Sequence, residues 1–344
     1  ALGLLAGLAA GLGFIFGVDA LDRSIKTVDQ AEITLGLPVL AAIPEVKAET
    51  KSTHPQRATG HLQQYRLVAE IPDGPVAEAF RNLRAALSLL GPEAERKVTL
   101  FTSAVPDEGK SFTCANYALV LAQQGYRVLL VDGDLRRPSM HKIFQMPAAK
   151  NISSGSSAGV PGLVDCLVGE TKLESAARPI SIEQIDAGGT RDSTGAREVP
   201  TAAHGQLFVL GSGRRAPNPA ELLSGFSFDR LIADATKTFD RVVIDSAPVL
   251  AVSDTLLMTL QAQTVCIVLR ARKTPREAVR RAISLLAGSG ATPAGVVLNR
   301  LPQRHGVGYY YYYASPGYGA GEGSYSSGPY SKRLKSTRQG NGTA

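Results

Sequence analysis

The stretch Ala104-Val-Pro-Asp-Glu-Gly-Lys-Ser111 decides the fold class of this chain. It fits the phosphate-binding loop (P-loop) pattern, with alanine in place of the first glycine. An apolar run typical of a β-strand precedes it at residues 98–103, and a helical pattern follows at 111–124. In this context, backbone N–H groups and the positive end of the helix would hold phosphate oxygens. Lys110 would place a cation on the β- and γ-phosphates, and the Ser111 hydroxyl would ligate Mg²⁺.

Apolar runs and helical patterns alternate along much of the chain and predict a parallel sheet. Strand-like runs fall at residues 127–131, 206–210, 241–244, 264–269 and 294–298, and a helical pattern at 226–238. A further helix opens with Thr274, Pro275 and Glu277, the pattern of a capping box with proline at the first position. Near-continuous apolar strands are typical of sheets covered by helices on both faces. We therefore predict an α/β P-loop NTPase fold with a doubly wound, mostly parallel sheet.

Two of the strand-like runs end on carboxylates. Asp132 and Asp134 follow the run at 127–131, and Asp245 follows the run at 241–244. Ligands bind at the carboxyl ends of parallel strands, and Mg²⁺ prefers oxygen ligands. Each aspartate alone would be explained by ending a strand or capping a helix, but the three beside a P-loop predict a cation site. Asn299 ends the last run and either bonds an adenine edge or forms a turn.

The composition is that of an ordinary globular protein. The 344 residues are 44% apolar and 19% charged, which excludes wholesale disorder. The net charge of +7 is concentrated in the last 14 residues, which hold four basic and no acidic groups. The other 330 residues hold 33 basic against 30 acidic groups, so we expect no nucleic-acid partner. The three cysteines lie too far apart for a zinc site or a disulfide scaffold.

The first 18 residues contain no charge and carry glycine at positions 3, 7 and 11. This length is about the lower limit for crossing a bilayer, and glycine at every fourth position is typical of packed membrane helices. We predict that residues 1–18 are the C-terminal part of a transmembrane helix in contact with lipid; a buried core helix is the alternative. Arg23 and Lys26 follow and favour a cytoplasmic position for the rest of the chain.

The remaining chain divides by composition into three parts. Residues 19–75 are predicted to be a juxtamembrane segment and linker, with a short helix and a turn at Leu37-Pro-Val-Leu40. Residues 76–305 are predicted to be the nucleotide-binding domain, within which 186–203 is a flexible loop. Residues 306–344 lose periodicity and are predicted to be disordered.

Eight of the eleven tyrosines lie in that last part, among Gly, Ser and Pro: Tyr309, Tyr310, Tyr311, Tyr312, Tyr313, Tyr318, Tyr325 and Tyr330. They cannot pack a core in such surroundings. One interpretation is a low-complexity, adhesive tail. The other, which the nearby nucleotide site favours, is a set of phosphate acceptors that each gain a charge of about −1.5 to −2.

In the order and combination of its motifs, the sequence resembles the bacterial tyrosine kinases (BY-kinases) attached to exopolysaccharide copolymerases. The motifs are Leu35-Gly-Leu-Pro-Val-Leu40, Glu78-Ala-Phe-Arg81-Asn-Leu-Arg84, the loop ending at Ser111, Asp132-Gly-Asp134, Pro217-Asn-Pro-Ala-Glu-Leu-Leu223, Asp245 and the tyrosine cluster. The chain departs from the family pattern in three places, one of which is a longer loop at residues 186–203. Asp107 stands where the family usually has glycine, and its charge would reduce nucleotide affinity. Ser246-Ala-Pro248 replaces the usual Thr-Pro-Pro.

The resemblance implies an ATP-dependent protein-tyrosine autokinase that phosphorylates its own tyrosine cluster in trans. It further implies a position in the bacterial inner membrane with the kinase domain in the cytoplasm, and regulation of exopolysaccharide polymerisation and export. The implied partners are further copies in a ring, the export machinery and a protein-tyrosine phosphatase. Glu78, Arg81 and Arg84 lie within one helical face, which is either a solvated charged face or, by resemblance, a contact between subunits.

The expected cofactors are ATP and Mg²⁺. The predicted ATP-binding residues are Ala104, Val105, Pro106, Asp107, Glu108, Gly109, Lys110, Ser111, Phe112 and Asn299. Ser111, Asp134 and Asp245 are predicted to hold the metal, directly or through water, and Lys110, Asp132 and Asp134 to be catalytic. Asp132 is the candidate for orienting or deprotonating the tyrosine hydroxyl.

Two other functions stay open at this point. A partitioning or septum-positioning ATPase switch shares the fold but needs a lysine five residues before the P-loop lysine, where this chain has Val105. That function also leaves the tyrosine tail unexplained. The second alternative is a catalytically weak scaffold for control of polysaccharide chain length, which Asp107 keeps open.

Overall fold

The computed structural model describes residues 22–46, 65–92, 96–146, 160–180 and 205–302, and helical backbone at positions 3, 7 and 11. Most of the membrane helix predicted at 1–18, the loop predicted at 186–203, and the tail with its eight tyrosines lie outside the described residues. Among the helices of the described part, none is both long and apolar enough to cross a bilayer.

An eight-stranded sheet forms the centre of the described part. Its strands are β1 (Val39–Pro44), β2 (Val98–Ser103), β3 (Arg127–Asp132), β4 (Arg178–Ile180), β5 (Gln206–Leu210), β6 (Arg241–Asp245), β7 (Thr264–Arg270) and β8 (Gly295–Leu301). Their order is β1-β8-β7-β2-β6-β3-β5-β4, and the neighbours are parallel except for the antiparallel pair of β4 and β5. The predicted α/β fold with a mostly parallel sheet is confirmed.

Eleven α-helices accompany the sheet within the described ranges. They are α1 (Val28–Leu35), α2 (Leu67–Glu70), α3 (Pro75–Ser88), α4 (Lys110–Gln123), α5 (Met140–Ile143), α6 (Leu163–Leu167), α7 (Leu173–Ala176), α8 (Pro219–Ser224), α9 (Phe226–Thr238), α10 (Asp254–Met258) and α11 (Arg276–Gly288). Helix α4 packs against β2, β3 and β6. It is therefore buried along most of its length, which fixes its first turn at the carboxyl edge of these strands.

The turn predicted at Leu37–Leu40 is wrong, because Val39 and Leu40 begin strand β1. All six residues of β1 are buried, and the strand pairs in parallel with β8 at the edge of the sheet. Residues 39–44, which by composition fall in the linker, thus belong to the same sheet as the P-loop. A leucine–proline pair suggests a turn locally, whereas the partner strand lies far along the chain.

Candidate active site

The P-loop connects β2 to α4, and its backbone requires two residues in the left-handed region. Gly109 has φ of +96°, and a Cβ there would lie 2.0 Å from Nδ2 of Asn299. Both the conformation and the close approach demand glycine. Asp107 has φ of +64°. Aspartate is among the few non-glycine residues that tolerate this conformation, so the fold accommodates the departure from the family glycine.

Glu108 is turned into the protein rather than toward a phosphate. Its side chain is buried, and Oε2 accepts a hydrogen bond from the backbone N–H of Val105 (3.1 Å). Its Oε1 accepts a hydrogen bond from the hydroxyl of Thr274. Burial raises the pKa of the Glu108 carboxyl, and the Thr274 hydroxyl opposes that rise. Glu108 therefore supports the loop from inside.

The capping box predicted at the start of α11 is wrong. Pro275 occupies the N-cap position, and no side chain there bonds the first turn. The hydroxyl of Thr274 instead donates to Glu108 and accepts a hydrogen bond from the N–H of Arg270 (2.9 Å). The sequence pattern predicts that Thr274 caps its own helix, but its side chain contacts Glu108 of the P-loop instead.

Asn299 also contacts the P-loop. Its Nδ2 donates to the carbonyl of Glu108 (2.9 Å), and its Oδ1 accepts from the N–H of Arg300 (2.8 Å). The side chain is buried. The structure thus gives the amide a supporting role in the loop, and its contact with adenine stays a prediction.

Lys110 and Ser111 open helix α4 beside Asp245. Lys110 is buried, and Asp245, at the end of β6, has no exposed surface. Burial raises the pKa of Asp245 to about 6, while the Lys110 charge and the Ser111 hydroxyl act to lower it. These three predicted site residues therefore come together at one point.

Asp132 and Asp245 are register partners on the adjacent strands β3 and β6, and both are fully buried. Oδ2 of Asp132 accepts hydrogen bonds from the N–H groups of Ser139 and Met140, each at 2.9 Å. Oδ1 of Asp132 and Oδ2 of Asp245 are buried and have no hydrogen-bond partner among the described residues. Burial, reinforced by the Asp245 charge, raises the pKa of Asp132 well above its ordinary value.

The free carboxylate oxygen of Asp245, which lies near the Ser111 hydroxyl, fits a hard cation, and that of Asp132 lies on the adjacent strand. Within the described ranges, no group of three or more His, Cys, Asp or Glu side chains is arranged to hold a metal by itself. Mg²⁺ does not need such a cage, because it is usually bound by one or two carboxylates, phosphate oxygens and water. Asp134 is partly exposed, and its Oδ1 accepts from the N–H of Arg137 (3.0 Å). Its roles at the metal and in catalysis stay predictions.

The segment that follows β3 is fixed by two features that no local sequence pattern indicates. Arg136 donates from Nε and Nη2 to the two carboxylate oxygens of Asp254 at 2.7 and 2.9 Å, and Asp254 is 1% exposed. The N–H of Gly133 donates to the carbonyl of Asp245 (2.8 Å). A Cβ on Gly133 would lie 2.8 Å from that same oxygen, so only glycine allows this approach.

The three charged residues of α3 do not behave as one group. Arg81 pairs with Glu78 through Nη1 and Oε2 (3.0 Å) and donates from Nη2 to the carbonyl of Pro72 (2.7 Å). Arg84 is partly exposed and lies in a surface pocket of about 170 Å³ together with Arg96 and other residues. Their role in contacts between subunits stays a prediction.

Comparison with known proteins agrees with this geometry. Residues 101–310 match the family model of the CobQ/CobB/MinD/ParA nucleotide binding domain. Tyrosine-protein kinase YwqD of Bacillus subtilis is 31% identical over 72% of this chain and 92% of its own length. This chain belongs to the bacterial tyrosine kinase family. Tyrosine-protein kinase wzc of Salmonella typhimurium is 30% identical over 85% of this chain, which spans 37% of that longer protein.

A solved structure of a BY-kinase extends the match to the fold. The kinase domain of the Escherichia coli tyrosine kinase ETK superimposes with a TM-score of 0.63 at 26% identity, covering 87% of this chain and all of that one. The likeness in sequence is therefore accompanied by a likeness in architecture.

Replacing Gly133 by alanine is expected to damage the site. The added methyl group would collide with the backbone of Asp245 and with Sδ of Met258, so the end of β6 must shift. We expect a loss of about 1–3 kcal/mol in unfolding free energy and weaker binding of Mg·ADP. Gly288→Ala is the matched control, because a Cβ there meets open space. Urea unfolding and calorimetric titration measure both; equal effects at the two positions would contradict this packing.

Asp245→Asn is expected to stabilise the nucleotide-free protein at pH 7 while weakening Mg-dependent nucleotide binding. The folded-state pKa of about 6 lies above the ordinary 3.8, so the folded state takes up the proton first as pH falls. Wild type should therefore gain stability relative to the variant between about pH 6 and pH 4. Urea unfolding in EDTA at pH 7 and pH 5 tests this. A difference between variant and wild type that does not change with pH would show that Asp245 does not titrate with a raised pKa.

Proposed function

We propose that this chain is an ATP-dependent protein-tyrosine autokinase that transfers the γ-phosphoryl group of ATP to the tyrosine cluster of another copy. The observation that carries the proposal is the meeting of Lys110, Ser111 and Asp245 at the carboxyl edge of the sheet, with Asp132 opposite Asp245 on the adjacent strand. Membership of the BY-kinase family and the eight tyrosines between positions 309 and 330 support the choice of acceptor.

ATP would bind through the groups at the end of the P-loop and the start of helix α4. The N–H groups at the start of α4 and the positive end of the helix would receive the phosphates. Lys110 would offset charge on the β- and γ-phosphates, and Ser111 and Asp245, with Asp134, would hold Mg²⁺. A bound Mg²⁺ would neutralise charge that develops across these phosphates.

Asp132 is the candidate for receiving the proton of the tyrosine hydroxyl. Its raised pKa brings it nearer to a phenol of ordinary pKa near 10 than a carboxylate in water would be. Within the described ranges Oδ1 has no partner, whereas Oδ2 accepts hydrogen bonds from two N–H groups of the segment at α5. Because Asp132 is fully buried, the acceptor would reach Oδ1 only when that segment moves aside.

The cellular setting extends this proposal. The uncharged residues 1–18 support anchoring in the bacterial inner membrane with this domain in the cytoplasm. Relatives such as wzc are longer proteins, of which this chain matches 37%. The family resemblance supports a ring of copies that regulates polysaccharide polymerisation and export and is reset by a phosphatase.

A mixing experiment tests transfer in trans. One chain carries Lys110→Met and keeps its tyrosine cluster. The other keeps Lys110 but ends at Gly306, so that it lacks the cluster. Neither should form phosphotyrosine alone with Mg·ATP, because one lacks the phosphate-facing cation and the other the acceptor. Mixed, they should label the Lys110→Met chain, as measured by immunoblot.

Lys237→Met, on the exposed side of α9, is the matched control and should label itself like wild type. Consumption of ATP by wild type without any phosphotyrosine would contradict the kinase proposal and favour the ATPase switch. Labelling of Lys110→Met alone would refute the assignment of the P-loop lysine.

A further inference from the structure

Thr274, a residue in the turn between β7 and α11, stabilises the P-loop through a hydrogen bond to Glu108. Thr274 is 1% exposed. Its hydroxyl donates to Oε1 of Glu108, while Oε2 of the same carboxylate accepts from the N–H of Val105 at 3.1 Å. One buried carboxylate therefore connects the beginning of the P-loop to the turn at Thr274, which lies 166 positions after Glu108.

The turn that carries Thr274 is itself fixed by the N-terminal segment. Ser24 and Pro275 form an antiparallel bridge. The N–H of Ile25 donates to the carbonyl of Thr274 (3.2 Å), and the N–H of Arg272 donates to the carbonyl of Ile25 (2.7 Å). Ile25 is fully buried. The Thr274 hydroxyl is thus held in place before any ligand arrives.

Glu108 lies two positions before Lys110, and the two charges interact. The Lys110 charge acts to lower the pKa of Glu108. A buried carboxylate beside a phosphate site would repel the nucleotide and compete with it for the lysine. Its two donors direct the carboxylate toward Val105 and Thr274. Lys110 then remains available to bind the phosphate groups of the nucleotide.

We propose that Glu108 and Thr274 are positioning residues for nucleotide binding, and that Thr274 acts by keeping the Glu108 carboxylate away from Lys110. The inference rests on the proposed use of this loop for ATP phosphates. It does not depend on which group accepts the phosphoryl transfer.

The test is calorimetric titration of the full chain with Mg·ADP. Thr274→Val, which cannot donate, should weaken affinity about tenfold, and the loss should appear in KM for ATP more than in kcat. Thr274→Ser keeps the hydroxyl and should stay within about threefold of wild type. Thr236→Val is the matched control, because that hydroxyl donates to the local carbonyl of Ala233.

Neutralising the Glu108 carboxylate shows whether Thr274 acts by positioning that charge or only by supporting the fold. Glu108→Gln combined with Thr274→Val should bind Mg·ADP more tightly than Thr274→Val alone, because the competing charge is gone. Unchanged affinity of Thr274→Val, or a double variant as weak as Thr274→Val, would overturn the proposal. Wild type that binds Mg·ADP normally yet forms no phosphotyrosine would refute the kinase function and leave this inference standing.

Discussion

The site depends on two carboxylates, Asp132 and Asp245, that are completely removed from water at the ends of neighbouring strands. Burying an ionised carboxylate is costly unless it is paired, and each of these has one oxygen that no group in the described part of the chain bonds. The order β2-β6-β3 at the middle of the sheet places both acids beside the P-loop. The same crossovers that build a parallel sheet therefore bring together the phosphate-binding groups and the acids that suit a cation.

Contacts around the site hold the P-loop and the segment after β3 in fixed positions. The Arg136–Asp254 pair and the close approach of Gly133 to β6 fix the segment after β3, while Asn299 and Glu108 fix the P-loop. A catalyst of phosphoryl transfer gains from dipoles and charges that are already in position, because little has to reorganise during the reaction. The raised pKa values of the two acids are the cost of that arrangement while no cation is bound.

Local patterns predict the parts of the fold that local physics determines. The strands at 98–103 and 206–210 and the helix at 226–238 agree with the structure to the residue, because apolar runs and helical periodicity are properties of single segments. The turn pattern covers only the first two residues of β1, which pairs with the distant β8, and β4 has no strand pattern of its own and is determined by pairing with β5. Thr274 likewise has the local pattern of a helix cap, but its hydroxyl bonds Glu108 on another element. No local pattern indicates such a partner.

A crystal structure with Mn²⁺ and a non-hydrolysable ATP analogue tests the central claim most directly, since anomalous scattering locates the metal without assumption. We expect one strong peak beside the Ser111 hydroxyl, with the free oxygen of Asp245 bound to the metal directly or through one water. Nucleotide phosphates in the P-loop with the metal elsewhere, and with the free oxygens of Asp132 and Asp245 still unpartnered, would contradict it.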